Sequence, residues 1–494
     1  MTILHTTRLL DMKTNVFRSL SFLVVLASSA AALQDKLVVE AGRIVTLAGD
    51  DIENGVIVIE NGRIKAVGKA GEVQKPWDAT VIGGSELVAF PGFVEAHTSN
   101  GMDRANENLD VAPFLDIRDS IDPVAFYFED CLRYGVTTVN VQHGPNCVVG
   151  GQGMIVRPTG MTVEEMVVRP RYGTKISVSP KQGKSRATQM QQLRETLDGL
   201  RVYLEELIEA ERDKRGYAER EALAQGRELT SEEKKGRSME GKAWKVDGLE
   251  LIPRGAIDEK QAPLLEMVEG RRMVFLNCEE AMDVEHAIEF ARTNGFLEKS
   301  VLVLDVRCWR AADAIAEAGL PVVLEGGLLE MRRNPRTGEE EETFVPAILA
   351  DKGIRFALSS EASGQRSLWY QAALSIGEGL DRSIALASVT TTAAEILGLE
   401  KEVGSLEVGK MGNVVLFSGD PLSITSWVER VVIEGREVYD RRKDVRNKHL
   451  LEGTQPRGTA AVAEAPVQED DHAEEEGEEA KEEEAKDDES EDGE

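Results

Sequence analysis

Strand-like and helix-like segments alternate along the middle of this 494-residue chain. Because each apolar strand-like run is followed by a stretch with helical periodicity, successive strands are expected to lie parallel in one sheet, with the helices outside it. The number of repeats favours an α/β (β/α)8 barrel over a doubly wound sheet. The predicted strands include residues 135–142, 272–278, 300–306, 320–326 and 354–360, and the predicted helices include residues 283–295 and 312–319.

Both ends of this region are rich in β-strand patterns. Residues 35–89 and 401–445 carry alternating apolar residues separated by tight turns, and they bracket the predicted barrel of residues 90–400. Asn61 and Gly62 stand between two such runs, which is a strong signal for a β-hairpin. The two ends are therefore predicted to pair into a small side domain.

Two charged segments fall outside this pattern. Residues from about 186 to 262 form an insertion in which leucines recur at helical spacing (Leu193, Leu197, Leu200, Leu204 and Leu207), so we predict an amphipathic helix. Packing is its expected role, and partner binding is the alternative. Residues 452–494 are polar and acidic, and such a composition cannot bury enough apolar surface to fold. They are predicted to form a disordered tail.

The net charge of −30 is concentrated in that tail. Between Glu464 and Glu494 there are 18 acidic residues against two lysines, which gives −16 and leaves −14 for the rest of the chain. No basic patch with interleaved aromatic residues occurs, so nucleic-acid binding is not expected.

The N-terminal residues 1–34 resemble an export signal. The segment Met12–Gln34 has a basic start, an apolar core at Leu20–Ala27 and small residues at Ala30–Ala32, and Met12 is a candidate true initiator. The apolar core is too short to span a bilayer, which takes about 20 residues. A periplasmic or secreted protein without a membrane anchor after cleavage is predicted, with a buried N-terminal helix as the alternative.

The stretch FPGFVEAHTSNG, Phe90 to Gly101, carries the strongest chemical signal. Alternate residues of a strand point to the same side, so two histidines separated by one residue can clamp a metal ion. Here His97 is followed two positions later by Ser99, and a hydroxyl is a poor ligand for such a metal.

Several motifs together resemble the amidohydrolase superfamily, and in particular its imidazolonepropionase-like branch. They are PGFVEAH, residues 135–158, Ala394–Leu399, Gly404–Gly409, Asp420-Pro421 and Val428–Gly435, which occur in order. The resemblance covers roughly residues 36–442 except the insertion. It implies a distorted TIM (β/α)8 barrel with a composite β-sandwich from both chain ends. It also implies hydrolysis of carbon–nitrogen bonds other than peptide bonds, with one or two divalent metals that activate water.

The resemblance also implies a ligand set of four histidines and a general-base aspartate at strand ends. On this alignment the chain keeps His97 and has Glu361 where the aspartate is expected. The remaining ligands are replaced by Ser99, Asn277 and either Leu304 or Asp305. Six histidines occur in all, and only His97 and His143 fall in or just after predicted barrel strands, because His286 lies inside a predicted helix. A four-histidine site is therefore excluded.

Four other residues are candidates for lining the pocket. His143 follows a predicted strand and either lines the pocket or is a hydrogen-bonded loop residue. Gln152 lies in the glycine-rich run VVGGQGMIV, for which functional and structural interpretations are equally open. Some members of the family that the chain resembles use a carboxylated lysine to bridge two metals, but the alignment does not place Lys175 on the strand that carries it. Lys175 is therefore predicted to lie on the surface or to contact a substrate, and Glu279 follows the strand that carries Asn277.

Two hypotheses follow. The first is a pseudoenzyme or altered-function member with no cofactor, which binds a small molecule or forms a homo-oligomer or a hetero-oligomer with an active homologue. The alternative is an active amidohydrolase for a cyclic amide, an amidine or a dipeptide-like substrate, with a rearranged zinc or other divalent site. Such a site would draw on His97, Cys278, Glu279, Cys308 and Glu361. The cysteines form no C-x-x-C pair, and at least two of the four are expected to be small buried residues.

Overall fold

The computed structural model describes residues 36–230, 244, 246, 249–325, 327–361 and 367–452. The predicted export signal and the predicted acidic tail after residue 452 lie outside the described residues. The larger of two compact units ends at Asp444, and the described part of the second is a single helix, Val445–Glu452.

The strands are numbered in chain order. They are β1 Lys36–Ile44, β2 Ile52–Glu60, β3 Arg63–Lys69, β4 Thr80–Pro91, β5 Phe93–Thr98, β6 Val136–Val141, β7 Val149–Gln152, β8 Met154–Val156, β9 Val167–Arg169, β10 Thr174–Ser177, β11 Val274–Cys278, β12 Ser300–Leu304, β13 Val322–Leu324, β14 Leu329–Arg333, β15 Glu340–Phe344, β16 Phe356–Leu358, β17 Val414–Phe417, β18 Val428–Ile433 and β19 Arg436–Asp440.

The α-helices are numbered in the same way. They are α1 Phe126–Arg133, α2 Val163–Met166, α3 Arg186–Ala224, α4 Ala262–Val268, α5 Ala281–Thr293, α6 Ala312–Ala318, α7 Val345–Asp351, α8 Leu368–Gly377, α9 Arg382–Ser388, α10 Thr391–Ile396 and α11 Val445–Glu452.

The two β-rich ends of the chain share one seven-stranded sheet. Its order is β19-β18-β17-β4-β1-β2-β3, and β17 pairs antiparallel with β4, which joins the C-terminal strands to the N-terminal ones. The predicted hairpin is confirmed between β2 and β3, where Asn61 and Gly62 have φ of 51° and 77°. Positive φ at both central residues is the geometry that an Asn-Gly turn favours.

The predicted alternation of strands and helices is confirmed in the middle of the chain. β10, β11, β12, β13 and β16 run parallel as neighbours in a six-stranded sheet that β7 completes in the antiparallel sense. β5 and β6 are parallel neighbours in a four-stranded sheet with β8 and β9. The described residues therefore form an α/β fold with mixed sheets, in which hydrogen-bonded strands do not close into one barrel. The eight-stranded barrel and the β-sandwich stay predictions.

The charged insertion begins as one 39-residue helix, α3. Ser185 caps it, since its side chain accepts a hydrogen bond from the backbone N–H of Thr188. The leucine stripe is buried from Leu193 to Leu204, but the next buried position is Ile208 rather than Leu207. The first half of α3 thus packs on the body, and its apolar face is part of the main core.

Two further expectations concern the cysteines and the membrane. Cys131, Cys147, Cys278 and Cys308 are all buried free thiols. The expectation of buried residues therefore holds for all four.

Within the described segments, none of the helices combines the length and apolar character that crossing a membrane requires.

Candidate functional site

Polar side chains collect at the carboxyl ends of the parallel strands. Neighbouring strands align Ser177 with Asn277, Asn277 with Val303, Val303 with Val323, and Val323 with Ala357. Residues in register point to the same face, and alternate residues return to it. Glu325, Ser359 and Glu361 follow Val323 and Ala357 at even spacing, so they continue this face beyond the strands.

Three side chains form a continuous array at these ends. His97 on β5 places its Nε2 2.9 Å from Nζ of Lys175 on β10. Its Nδ1 is in close contact with Oε1 of Glu325, which directly follows β13. His97 and Lys175 are 1% and 0% exposed, and the ring of His97 packs 5.8 Å from that of Phe275. The array therefore joins a carboxylate, an imidazole and an amine inside the protein.

The protonation of this array follows from its partners. A lysine ammonium has no acceptor, so Nε2 of His97 accepts its hydrogen bond and the ring proton lies on Nδ1, toward Glu325. Burial by itself would raise the pKa of the Glu325 carboxyl, but the nearby His97 and Lys175 outweigh burial and lower that pKa. Glu325 is thus a carboxylate that balances the charge of Lys175 through the imidazole.

Glu361 is held by the end of β5. Its Oε2 accepts hydrogen bonds from the hydroxyl of Thr98 at 2.6 Å, the backbone N–H of Ser99 at 3.1 Å and the side-chain amide of Asn100 at 2.9 Å. Its Oε1 accepts a hydrogen bond from the hydroxyl of Ser99. The structure therefore brings Ser99 and Glu361 together, and their contact occupies the hydroxyl of Ser99.

A second carboxyl lies beneath this contact. Glu95 is fully buried on β5, and Oε2 accepts hydrogen bonds from the backbone N–H of Ser360, at 3.0 Å, and from its hydroxyl. Burial raises the pKa of Glu95 to about 8, although the bonds from Ser360 act in the opposite direction. At neutral pH the folded protein therefore holds Glu95 protonated, next to the carboxylate of Glu361.

Several buried polar side-chain atoms in this region have no hydrogen-bond partner among the described residues. They include Nδ2 of Asn277 and Nε2 of His143, whose residues are 5% and 4% exposed. Nδ1 of His143 lies 3.1 Å from the carbonyl oxygen of Gly144, and burial lowers the pKa of this histidine. The neutral ring thus donates from Nδ1 and keeps a bare acceptor at Nε2.

The other predicted positions lie away from the array. Leu304 is aligned with Cys278, so it points to the opposite face from Asn277 and packs in the core. Asp305 accepts hydrogen bonds from the backbone N–H and side chain of Arg307. Gln152 is held by Arg272 at 3.0 Å, and Glu279 is an exposed residue. The surface alternative for Lys175 is wrong, because its side chain is fully buried.

Comparison with known proteins identifies the family. Residues 354–439 match a model described as the Amidohydrolase family. The imidazolonepropionase of Acinetobacter baumannii is 37% identical over 138 residues, which is 25% of this chain and 32% of that relative. The chain belongs to the amidohydrolase superfamily. Within this superfamily it lies on the imidazolonepropionase-like branch, although the match spans about a third of the length of these curated relatives.

Other superfamily members are also similar. The 5-methylthioadenosine/S-adenosylhomocysteine deaminase of Moorella thermoacetica is 38% identical over 79 residues, 16% of this chain and 18% of that protein. An amidohydrolase from Thermotoga maritima MSB8 has a TM-score of 0.64 at 23% identity, and the match covers 82% of this chain and 100% of that structure. At this identity the structural likeness shows a shared fold.

Amidohydrolase-superfamily proteins typically use divalent metals, and the donor set here does not suit one. The lone pair of His97 Nε2 is occupied by Lys175, and the hydroxyl of Ser99 by Glu361. β12 presents Val303 to the face that carries Asn277. Across the described part of the chain, no three His, Cys, Asp or Glu side chains are placed to hold a metal ion.

The cysteines do not extend this donor set. Cys278 points away from Asn277, its neighbour on the strand, and the thiol of Cys308 lies 3.2 Å from the carbonyl oxygen of Cys278. Burial raises the pKa of both thiols, which disfavours the thiolates that zinc requires.

Sequence reasoning missed Glu95 and Glu325 in this amidohydrolase-superfamily site. Glu95 is an ionisable residue inside a fully buried strand, and Glu325 directly follows another buried strand. Both patterns are visible in the sequence, since a buried strand seldom carries a carboxyl group without a partner. Their partners, Ser360 and His97, become visible only in the structure.

Proposed function

We propose that this chain is an exported member of the amidohydrolase superfamily that does not carry out metal-dependent hydrolysis. The observation that carries the proposal is the hydrogen bond between Nζ of Lys175 and Nε2 of His97. The ammonium group of Lys175 is hydrogen-bonded to Nε2 of His97, the nitrogen that a metal would need. The one retained histidine is therefore not free to bind a metal.

The electrostatics of the site support the same proposal. A divalent metal near Nε2 would meet the positive charge of Lys175 at short range, where water cannot screen the repulsion. Glu325 already balances that charge through His97. Adding a metal would therefore require Lys175 to lose its proton or to move.

The Ser99–Glu361 contact supports the loss of the water-activating step. A general base has to reach a substrate water, but one oxygen of Glu361 accepts three hydrogen bonds and the other accepts one from Ser99. Glu361 therefore acts as a brace between the ends of β5 and β16. In place of hydrolysis, we propose that the chain binds a small molecule or assembles with a second copy or with an active homologue.

A second candidate function is hydrolysis of a cyclic amide, an amidine or a dipeptide-like substrate by a rearranged site. The observation that favours it is the pair of neighbouring carboxyl groups, Glu95 and Glu361, at the strand ends. Paired carboxyl groups in different environments are a common acid–base arrangement in enzymes. The names of the relatives, an imidazolonepropionase and a deaminase, point to the same class of bond.

Metal analysis separates the two candidates. The purified mature chain, expressed with added zinc and washed at high salt to strip ions from its acidic tail, is expected to hold well below one metal ion per chain. The wild type and His97→Gln should be indistinguishable in metal content and inactive on a panel of lactams, amidines and dipeptides. Stoichiometric metal that is lost in His97→Gln, together with hydrolysis, would overturn the proposal.

Export has its own test. N-terminal sequencing of protein recovered from the culture medium or periplasm should begin near Gln34, the end of the predicted signal. Recovery of an intact N-terminus from the cytoplasm would contradict export without affecting the metal result.

A further inference from the structure

An open cavity lies where the seven-stranded sheet meets helix α9. Its volume is about 390 Å³, in the lower part of the roughly 300–1,000 Å³ range of small-molecule sites. Its walls come from β1 and the turn after it, from the end of β4, from α9 and from the segment after β17. Phe90, one of its lining residues, precedes β5, whereas His97 lies near the carboxyl end of β5. The cavity and the candidate site therefore lie at opposite ends of that strand.

One wall of the cavity is apolar. Val45, Phe90 and Leu386 line it at 8%, 0% and 7% exposure, and all three belong to the main core. Leu47 and Pro421 extend the same surface toward solvent. An apolar group that leaves water to lie against this wall is stabilised by the hydrophobic effect. A ligand that suits the cavity therefore has an apolar body.

Two ion pairs stand at the rim of the cavity. Nε of Arg43 donates to Oδ2 of Asp51 at 2.8 Å. Nη2 of Arg382 donates to Oδ1 and Oδ2 of Asp420 at 2.8 Å and 2.6 Å. These four side chains are between 31% and 47% exposed, so a ligand from solvent can reach them. In each pair one guanidinium balances one carboxylate, and the two pairs together carry no net charge.

A third carboxylate at the rim has no cation to balance it. Oδ1 of Asp381 accepts hydrogen bonds from the backbone N–H of Ser383 at 2.7 Å and from its hydroxyl. These bonds lower the pKa of Asp381, so its carboxyl group is charged at neutral pH. Both donors are neutral, and in the described part of the chain Asp381 makes no ion pair. The rim therefore carries one unbalanced negative charge beside an apolar wall.

We propose that this cavity binds a small organic amine, with its apolar body against Val45 and Leu386 and its ammonium group at Asp381. One positive charge on the ligand matches the one unbalanced carboxylate, and an ammonium group supplies the donors that carboxylate oxygens accept. A ligand with a carboxylate would instead add a second unbalanced negative charge. This inference goes beyond the proposed function, because it concerns the opposite end of β5 and does not depend on whether His97 binds a metal.

Calorimetric titration of the full mature chain tests the proposal. The probe is 2-phenylethylamine, with 2-phenylethanol and 3-phenylpropanoate as neutral and anionic probes of similar size, at about 0.15 M salt to screen distant charges. We expect saturable binding of the amine, with about fivefold lower affinity for the alcohol, which is the upper range of an exposed ion pair. The anionic probe should bind more weakly than the alcohol.

Two variants change the charge at the rim in opposite directions. Asp381→Asn should weaken amine binding about fivefold, and its side-chain oxygen can still accept the hydrogen bonds of Ser383 at the start of α9. Arg382→Gln should strengthen amine binding by a similar factor, because it leaves Asp420 without its cation. A cavity that recognises only an apolar body would show neither change.

Asp122→Asn is the matched control. Asp122 is an exposed carboxylate that accepts the backbone N–H of Val124, two residues on, as Asp381 does from Ser383. Its replacement should leave amine affinity unchanged, and any attraction of the amine to the acidic C-terminal residues is common to all variants. Val45→Phe, which fills the cavity, should abolish saturable binding, with the melting temperature measured to verify folding.

Four results would overturn the proposal. They are the absence of saturable amine binding, equal affinity for 2-phenylethylamine and 2-phenylethanol, tighter binding of 3-phenylpropanoate, and equal losses of affinity in Asp381→Asn and Asp122→Asn. None of them bears on the metal content of the chain, so failure of this inference is distinguished from failure of the proposed function.

Discussion

Asp283 holds together the segments that support the candidate site, so replacing it tests how these segments are stabilised. Its side chain is 0% exposed at the start of α5, and its carboxylate accepts hydrogen bonds from Nε of Arg186 at 2.6 Å, the hydroxyl of Ser179 at 2.7 Å and the backbone N–H of Glu280 at 3.0 Å. These bonds connect the segments that follow β10 and β11 with the beginning of α3. β10 and β11 carry Lys175 and Asn277.

Replacing Asp283 by Asn should destabilise the protein by about 3 kcal/mol. An amide of the same size can keep the acceptor for Ser179 and Glu280, but its NH2 group then faces the guanidinium of Arg186. Breaking a buried ion pair costs about 3–5 kcal/mol, and Arg186 is 35% exposed and can be rehydrated, which places the cost at the lower end. Urea denaturation followed by circular dichroism measures the change at constant m-value.

The pH dependence of this effect has a defined sign. Burial by itself would raise the pKa of Asp283, but the bonds from Arg186, Ser179 and Glu280 outweigh burial and lower that pKa. The stabilisation is therefore fully present above the pKa of an unfolded aspartate, about 4, and is lost as the pH falls through the lower folded pKa. The difference between wild type and variant should be constant from pH 8 to about 5 and should shrink below about pH 4.

Glu289→Gln on the same helix is the matched control. Glu289 pairs with Arg292 across a surface where both side chains are more than half exposed, so its loss should cost less than about 0.5 kcal/mol. Equal costs for the two variants, or a difference that grows toward acidic pH, would refute the reasoning about Asp283.

Two further predictions concern packing. Leu200→Ala in α3 should cost about 3 kcal/mol in urea denaturation because Leu200 is fully buried, whereas Leu223→Ala in the same helix, at an 83% exposed position, should change stability by less than about 0.5 kcal/mol. Equal effects would favour the partner-binding alternative for the insertion. Gly153→Ala should lower the melting temperature, since an added Cβ would lie 2.0 Å from Nε2 of Gln142, and Gly49→Ala, with nothing within 4 Å, should leave it unchanged or raise it. Insensitivity at Gly153 would contradict a packing role for the glycine-rich run.

Much of the fold could be predicted because its signals are local. The apolar run of residues 300–306 predicts a strand, and the Asn61-Gly62 pair predicts a turn. Both predictions depend on only a few neighbouring residues, through apolar periodicity in the first case and a tolerated positive φ in the second. The pairing of β17 with β4 joins the two β-rich chain ends in one sheet. The β-strand patterns at both ends of the chain had led us to expect that the ends pair. The last buried residue of the α3 stripe was predicted to be Leu207, but it is Ile208. Both positions fit the same face of a helix, so the sequence pattern does not separate them.

The candidate site was predictable only in part. His97, Ser99 and Glu361 stand in recognisable motifs, and the structure brings the last two together. Lys175 and Glu325 could not be joined to His97 from sequence, because 78 and 228 residues separate them from it along the chain. Either Leu304 or Asp305 was expected at a ligand position. The register of β12 turns Leu304 away, since a shift of one residue on a strand reverses the face.

The family, the strand and helix pattern and the loss of a four-histidine ligand set could be read from the order of residues, because each depends on residue identity at a position. The roles of the remaining polar residues depend on the folded structure. Whether Lys175 lies on the surface or against His97 depends on which strands become neighbours, and the charge of Glu325 depends on the groups that burial brings to it. Distance and desolvation are properties of the folded chain, and they set the chemistry of this site.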